Sequence, residues 1–272
     1  MDKKCAPHKI YNDGSCFTVD DLIEITNDYN KIIPQQQKIV LKKNKKYLLQ
    51  KLTAAMRSNY KCNEQTCWIR QSFIKNTNIK NYTFRPIGPD TQFKWTTTRN
   101  INDVMSQYEK KYKDFKFYGA VPYDFENLDF LPTYKFNIKN LNSSNENQIG
   151  MVINLDPHNK KGSHWVSLYI NRMKNQVYFF DSVGKPPGKR ISHFIKKFYN
   201  DMMNKGLTHE QIDIRCNKKQ HQFNDSECGI YSMNFIIRLL QGDNFDDIIN
   251  NITNDMEMNT NRNIYFRNNN FK

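Results

Sequence analysis

The spacing of apolar positions changes part-way along this chain. Over residues 36–57, QQKIVLKKNKKYLLQKLTAAMR, the residues Leu41, Leu48, Leu52, Ala55 and Met56 recur at helical spacing with lysines opposite, predicting a basic amphipathic helix. A second helix is expected over 101–113. The stretch 83–99 carries Pro86, Gly88 and Pro89 and a shift in charge density, so it is read as a boundary between a basic, mostly helical arm (1–95) and a main domain (96–272). The polar run LNSSNENQ (141–148) reads as an exposed loop.

From Gly150 onward the elements become short strands. MVINL, HWVSLYI and QVYFFDS are rich in β-branched and aromatic residues, and NRMKN between the second and third predicts a hairpin turn. A helix over about 188–205 places Ile191, Phe194, Ile195, Phe198 and Met202 on one side, and IDIRC reads as a further strand. The helix opening at Cys228 is apolar on most faces, which predicts a central position, and Gly242 ends it. A last amphipathic helix is expected over 245–258. Helices mixed with an antiparallel hairpin define an α+β class.

The hairpin brings candidate chemistry together. With the turn centred on Met173, His164 faces Ser182 and Trp165 faces Asp181; a one-residue adjustment sets His164 opposite Asp181. Opposed side chains on one face lie about 5 Å apart at Cβ, so a carboxylate can orient an imidazole there. Cys228 supplies a nucleophile, because a helix N-terminus and a nearby imidazolium both favour a thiolate. Gly229 leaves room for a substrate backbone. Gln222 carries an amide able to donate to an oxyanion beside the Cys228 backbone N–H.

Composition narrows the setting. The chain has no run of eighteen apolar residues, and its start lacks the apolar segment of a secretory signal, so membrane insertion and secretion are not expected. Six cysteines in 272 residues are too sparse for a disulfide framework, so reduced thiols are expected; C-x4-C at Cys62 and Cys67 matches no common zinc pattern. The net charge of +14 is concentrated early: between Asp28 and Glu64 there are nine basic residues and no acid. Such a surface attracts polyanions, which makes Lys42, Lys43, Lys45 and Lys46 candidates for nucleic-acid binding.

The motifs GSHWVSLYIN, VYFFDSVG and QFNDSECGIYSMNF closely resemble those of the Ulp1-like and adenain-like cysteine peptidases: His-Trp, a strand-terminal acid, and Gln-x5-Cys-Gly. Within that group the chain looks most like the asfarvirus branch of SUMO-specific-type proteases, which mature viral core polyproteins. The resemblance implies a peptidase core preceded by a helical extension, with Cys228 as nucleophile, His164 as base and then acid, Asp181 as orienter, Gln222 as oxyanion donor, and Trp165 and Gly229 beside the substrate. It implies no cofactor and no metal. Its branch carries Asn where this chain has Asp181, as Ulp1-like peptidases do. It further implies cleavage after Gly-Gly through a channel too narrow for side chains, in a viral polyprotein or a ubiquitin-like modifier, and a place in the host cytoplasm and virion core. The alternatives are an isopeptidase acting on SUMO or ubiquitin conjugates, an acyl transferase using the same triad, and a basic virion component binding DNA or an acidic core protein.

Overall fold

The computed structural model describes residues 11–62, 65–69, 71–76, 79, 86, 88–129 and 146–266; most of the predicted 141–148 loop lies outside them. Two compact units are formed, Met1–Gly88 with Asn263–Lys272, and Pro89–Arg262.

In the first unit, helix α1 (Val19–Ile32) starts at a capping box in which Thr18 and Asp21 satisfy each other's backbone N–H. It packs with α2 (Lys45–Tyr60) and α3 (Gln65–Trp68) around Leu22, Ile25, Tyr29, Leu48, Leu52, Met56 and Trp68. The expected helix from 36 is thus shorter at its start. The Asn30 side chain takes both the N–H and the C=O of Ile39 (2.9 and 2.8 Å), which holds that segment extended, and Asn44 caps α2 through Tyr47 N–H. Cys62 and Cys67 form a disulfide, where free thiols were expected.

The second unit is built on a mixed five-stranded sheet in the order β1-β2-β3-β4-β5. Helix α4 (Thr98–Lys111), opened by a Thr97–Asn100 capping box, leads into β1 (Phe115–Val121), a strand the hydrophobic pattern did not reveal. Strand β2 (Gln148–Asn154) lies parallel to β1 and antiparallel to β3 (Trp165–Asn171); β4 (Gln176–Phe180) is antiparallel to β3 and parallel to β5 (Asp213–Cys216). Every residue of β3 is buried because both faces of the sheet are covered. On one face Met151, Val166, Leu168, Val177 and Phe179 meet Ile191, Phe194 and Phe198 of α5 (Lys189–Asn204). On the other lies α6 (Cys228–Gln241), where Phe235 stacks on Phe180 and the Ser232 hydroxyl donates to Trp165 O (3.1 Å). Gly242 ends α6 with φ 104, a left-handed geometry that glycine adopts without strain.

The expected helix over 245–258 is two helices, α7 (Phe245–Asn250) and α8 (Asp255–Tyr265). The chain restarts because Asn254 caps α8: its side chain accepts Glu257 N–H (2.9 Å), and the Glu257 carboxylate accepts Asn254 N–H in return (3.3 Å).

Candidate active site

The β3–β4 register differs from the expected one. Ser167 pairs with Phe180 and Asn171 with Gln176, so the turn is centred between Met173 and Lys174, with Asn175 at φ 53. Continued past its last pair, this register sets Asp181 opposite Val166 and leaves His164 as its diagonal neighbour. Diagonal Cβ atoms are about 7–8 Å apart, a gap that an imidazole and a carboxylate together span. The bond is made: His164 Nε2 lies 2.6 Å from Asp181 Oδ1.

Asp181 is held from several directions. Its Oδ1 also accepts Val183 N–H (3.0 Å), while Asn217, a residue the motif does not include, accepts Asp181 N–H (2.8 Å) and donates to Asp181 O (2.7 Å). Asn217 is buried just beyond β5, so the strand-end corner carrying the carboxylate is tied through both backbone groups of Asp181. No pattern in the sequence singles it out, since a lone Asn past a strand is ordinarily a turn former.

The Cys228 side chain is the other polar neighbour of the His164 ring, near enough to raise its affinity for a proton. Burial disfavours a charged ring here, but the hydrogen bonds and charges of Asp181 and Cys228 outweigh it, and the imidazole is pushed up to about 9. Cys228 is only 2% exposed and opens α6, with its sulfur at the positive end of that helix.

The Gln222 carboxamide is oriented by its neighbours. Its Oε1 accepts from Ser182 Oγ (2.6 Å), and its Nε2 donates to Asn224 O, which leaves one amide N–H uncommitted by these bonds. The loop is secured because His221 N–H and Gln222 N–H both donate to Ser182 O (2.8 and 2.9 Å), adjoining Asp181. The structure therefore bonds His164 to Asp181, sets Cys228 beside the ring and ties Gln222 to the same corner.

Trp165 is buried, and its indole N–H donates to Thr96 O (3.1 Å). Gly229 has no spare room: a Cβ there would collide with Thr96 Oγ1 and come within 3.3 Å of Trp165 Cδ1. Its lack of a side chain is a packing requirement beside the nucleophile. Gly229→Ala is expected to cost about 1–3 kcal/mol by overpacking, with a loss of activity as α6 shifts. Thermal unfolding of Gly229→Ala against the Gly229→Ala/Thr96→Ala pair checks this, since truncating Thr96 removes the Oγ1 that collides and should recover part of the loss.

A buried pair beneath the site was not legible in the sequence. Glu227, the residue before Cys228, accepts from Arg262 Nε (2.8 Å), Asn259 Nδ2 (2.9 Å) and Ser226 Oγ (2.8 Å). The side chains of Glu227 and Arg262 are 1% and 8% exposed, and the guanidinium also donates to Lys94 O and Ser226 O. Sequence separations of 35 and 168 residues carry no local signal for such a network.

The lysines nominated on α2 and before it are less uniform than their sequence suggests. Lys45 is paired with Asp13 (2.5 Å) and donates to Ser15 O, and Lys42 lies over the Tyr47 ring. Among the described residues, Lys43 and Lys46 form no ion pair.

A buried thiol at a helix start, an imidazole beside it and a carboxylate on the imidazole are the parts a cysteine peptidase uses. Residues 146–269 match the model of the Ulp1 protease family, C-terminal catalytic domain. A protein of Acanthamoeba polyphaga mimivirus named as a thiol protease is 35% identical over 97% of this chain and 93% of its own length. The SUMO-1 cysteine protease of African swine fever virus is 22% identical over 64% of this chain and 68% of its length. The crystal structure of the African swine fever virus protease superposes with a TM-score of 0.64 at 20% identity, covering 81% of this chain and 90% of that one. The chain belongs to the Ulp1 protease family. It is a cysteine peptidase with viral relatives.

Proposed function

We propose that the protein is an endopeptidase cleaving after Gly-Gly, with Cys228 as nucleophile, His164 as general base and then acid, Asp181 as orienter and Gln222 as oxyanion donor. The observation that carries the triad is the Asp181–His164 bond, with the ring held protonated beside the Cys228 thiol. The thiolate attacks the scissile carbonyl, the imidazolium protonates the leaving amine, and the neutral imidazole then activates water to release the acyl group. The oxyanion of each tetrahedral state lies between the Cys228 backbone N–H and the free N–H of Gln222.

The crowding supports the Gly-Gly preference. Cys228 is almost fully covered, Trp165 and Thr96 close on Gly229, and a strand entering there has little space for side chains next to the scissile bond. The substrate we propose is a viral polyprotein, processed in the infected cytoplasm or the virion core, the relatives being viral proteases; a ubiquitin-like protein ending in Gly-Gly presents the same chemistry. A Gly-Gly peptide bearing a carbon electrophile should label Cys228 alone, located by mass spectrometry of the digested protein. Labelling of Cys216, the other free cysteine among the described residues, would contradict the assignment.

The raised His164 value sets the pH dependence. A ring held protonated up to about 9 keeps the proton it gives to the leaving amine through neutral pH and loses it as pH rises through that value. The alkaline limb of kcat/KM is therefore expected near 9. Asp181→Asn keeps a hydrogen-bond acceptor but removes the charge that stabilises the imidazolium, so this limb should move down toward the ordinary histidine value of about 6.5. An unmoved limb in Asp181→Asn would show that the carboxylate charge does not hold the ring.

A further inference from the structure

We propose that Asp255, on α8, is a positioning residue for oxyanion stabilisation: it clamps the loop carrying Gln222 to the helix carrying Cys228. This rests on the catalytic reading above and extends it to a residue outside the motif.

The Asp255 carboxylate is spent on two elements. Its Oδ2 accepts the backbone N–H groups of Phe223 (2.8 Å) and Asn224 (2.9 Å), the two residues after Gln222. Its Oδ1 is 3.2 Å from Tyr231 Oη, on α6 one turn past Cys228. The Tyr231 hydroxyl has one proton to share among Asp255 Oδ1, His221 O (3.1 Å) and Thr253 O (2.8 Å), so its arm to the carboxylate is the weaker one. The Phe223 and Asn224 N–H groups, immediately after Gln222, are the bonds Asp255 holds outright.

A simpler role for an acid in the first turn of a helix is to favour that helix's positive end. That role is already filled in α8: Asn254 and Glu257 form the cap, and Asp255 turns instead to a loop more than thirty residues earlier. The loop needs such an anchor. Residues 217–226 form neither helix nor strand, and the Phe223 side chain is 74% exposed, so that residue contributes little apolar packing to hold its own backbone. Gln222 Nε2 donates to Asn224 O, so a shift of residue 224 carries the carboxamide with it. Misplacement of a donor by about 1 Å is enough to cost on the order of 10²-fold.

The test compares Asp255→Ala, Gln222→Ala and the double variant of the full chain in cleavage of a ubiquitin-like protein ending in Gly-Gly-aminomethylcoumarin, beside iodoacetamide alkylation of Cys228, which passes through no oxyanion. Asp255→Ala removes the acceptor of both loop N–H groups. Its kcat should fall about 10- to 100-fold, with KM within about twofold. Asp255→Asn should restore most of the loss, because its amide oxygen can accept both N–H groups while its nitrogen donates to Tyr231 Oη. Alkylation should keep the parent's rate and pH profile in Asp255→Ala, and the substitution should cost nothing further in the Gln222→Ala background. Tyr231→Phe removes the weaker arm and should show the same pattern with a smaller loss, which keeps the idea testable if Asp255→Ala folds poorly. Full kcat in a folded Asp255→Ala protein, additivity with Gln222→Ala, or an equal loss of alkylation would each overturn the proposal. If Gln222→Ala retains full kcat while Cys228→Ala is inactive, the oxyanion assignment itself fails; if Gln222→Ala is impaired and Asp255→Ala is not, only the role of Asp255 falls.

Discussion

Cys228→Ala is expected to lower kcat/KM by about four to six orders of magnitude while leaving the fold intact. The thiol is buried at the first turn of α6, and its removal deletes one small group from a helix otherwise held by Phe235, Ser232 and Tyr231. Chemistry has no substitute: the other free cysteine among the described residues, Cys216, sits on β5. His164→Ala should cost nearly as much, and the double variant little more than either alone, because base and nucleophile act as a unit. The measurement is initial rate on a Gly-Gly substrate with far-UV circular dichroism as the folding check. Substantial turnover by a folded Cys228→Ala protein would remove Cys228 from the mechanism.

The second large effect concerns stability. Arg262→Met leaves the Glu227 carboxylate buried at the helix start with only Ser226 and Asn259 as donors, and strips donors from Lys94 O and Ser226 O. Breaking one partner out of a buried pair costs about 3–5 kcal/mol, and for a unit of this size that is a Tm lowered by roughly 6–20 °C. Glu227→Leu in the Arg262→Met background should recover much of the loss, since two apolar groups of similar volume replace both charges at little net cost. Activity should not recover with it, because Glu227 fixes the backbone that presents Cys228. A Tm for Arg262→Met within about 2 °C of the parent would mean that the carboxylate is relieved by rearrangement.

Asp181 and Asn217 show how differently the parts of one corner were legible. Asp181 could be found because it ends a strand adjoining a predicted hairpin, and because Asp-Ser, His-Trp and Gln-x5-Cys-Gly occur in a fixed order. Asn217 could not, since its function is to bond the peptide of a residue 36 positions away. The hairpin was placed correctly but centred half a residue too early; Asn175 in the left-handed region adds a turn residue that the hydrophobic pattern does not encode. The helix over 188–205 follows from a strong apolar stripe, and α5 spans Lys189–Asn204. The helix expected from residue 36 fails where Asn30 holds Ile39 extended, and the one over 245–258 fails where Asn254 begins a new cap: in both places a polar side chain outbids the periodicity.

The sequence alone determined the α+β class, the order of the catalytic motifs, and the candidate nucleophile, base, orienter and oxyanion donor, because these depend on local periodicity and on residue types at short spacing. Tertiary structure decided what surrounds them. It chose the diagonal His164–Asp181 contact over a directly opposed pair, set Thr96 and Trp165 against Gly229, and buried Glu227 with Arg262. It also turned Asp255 from a helix-end acid into a clamp on the Gln222 loop. These contacts join residues tens of positions apart, and no local pattern records which buried donor will meet which acceptor once the layers close.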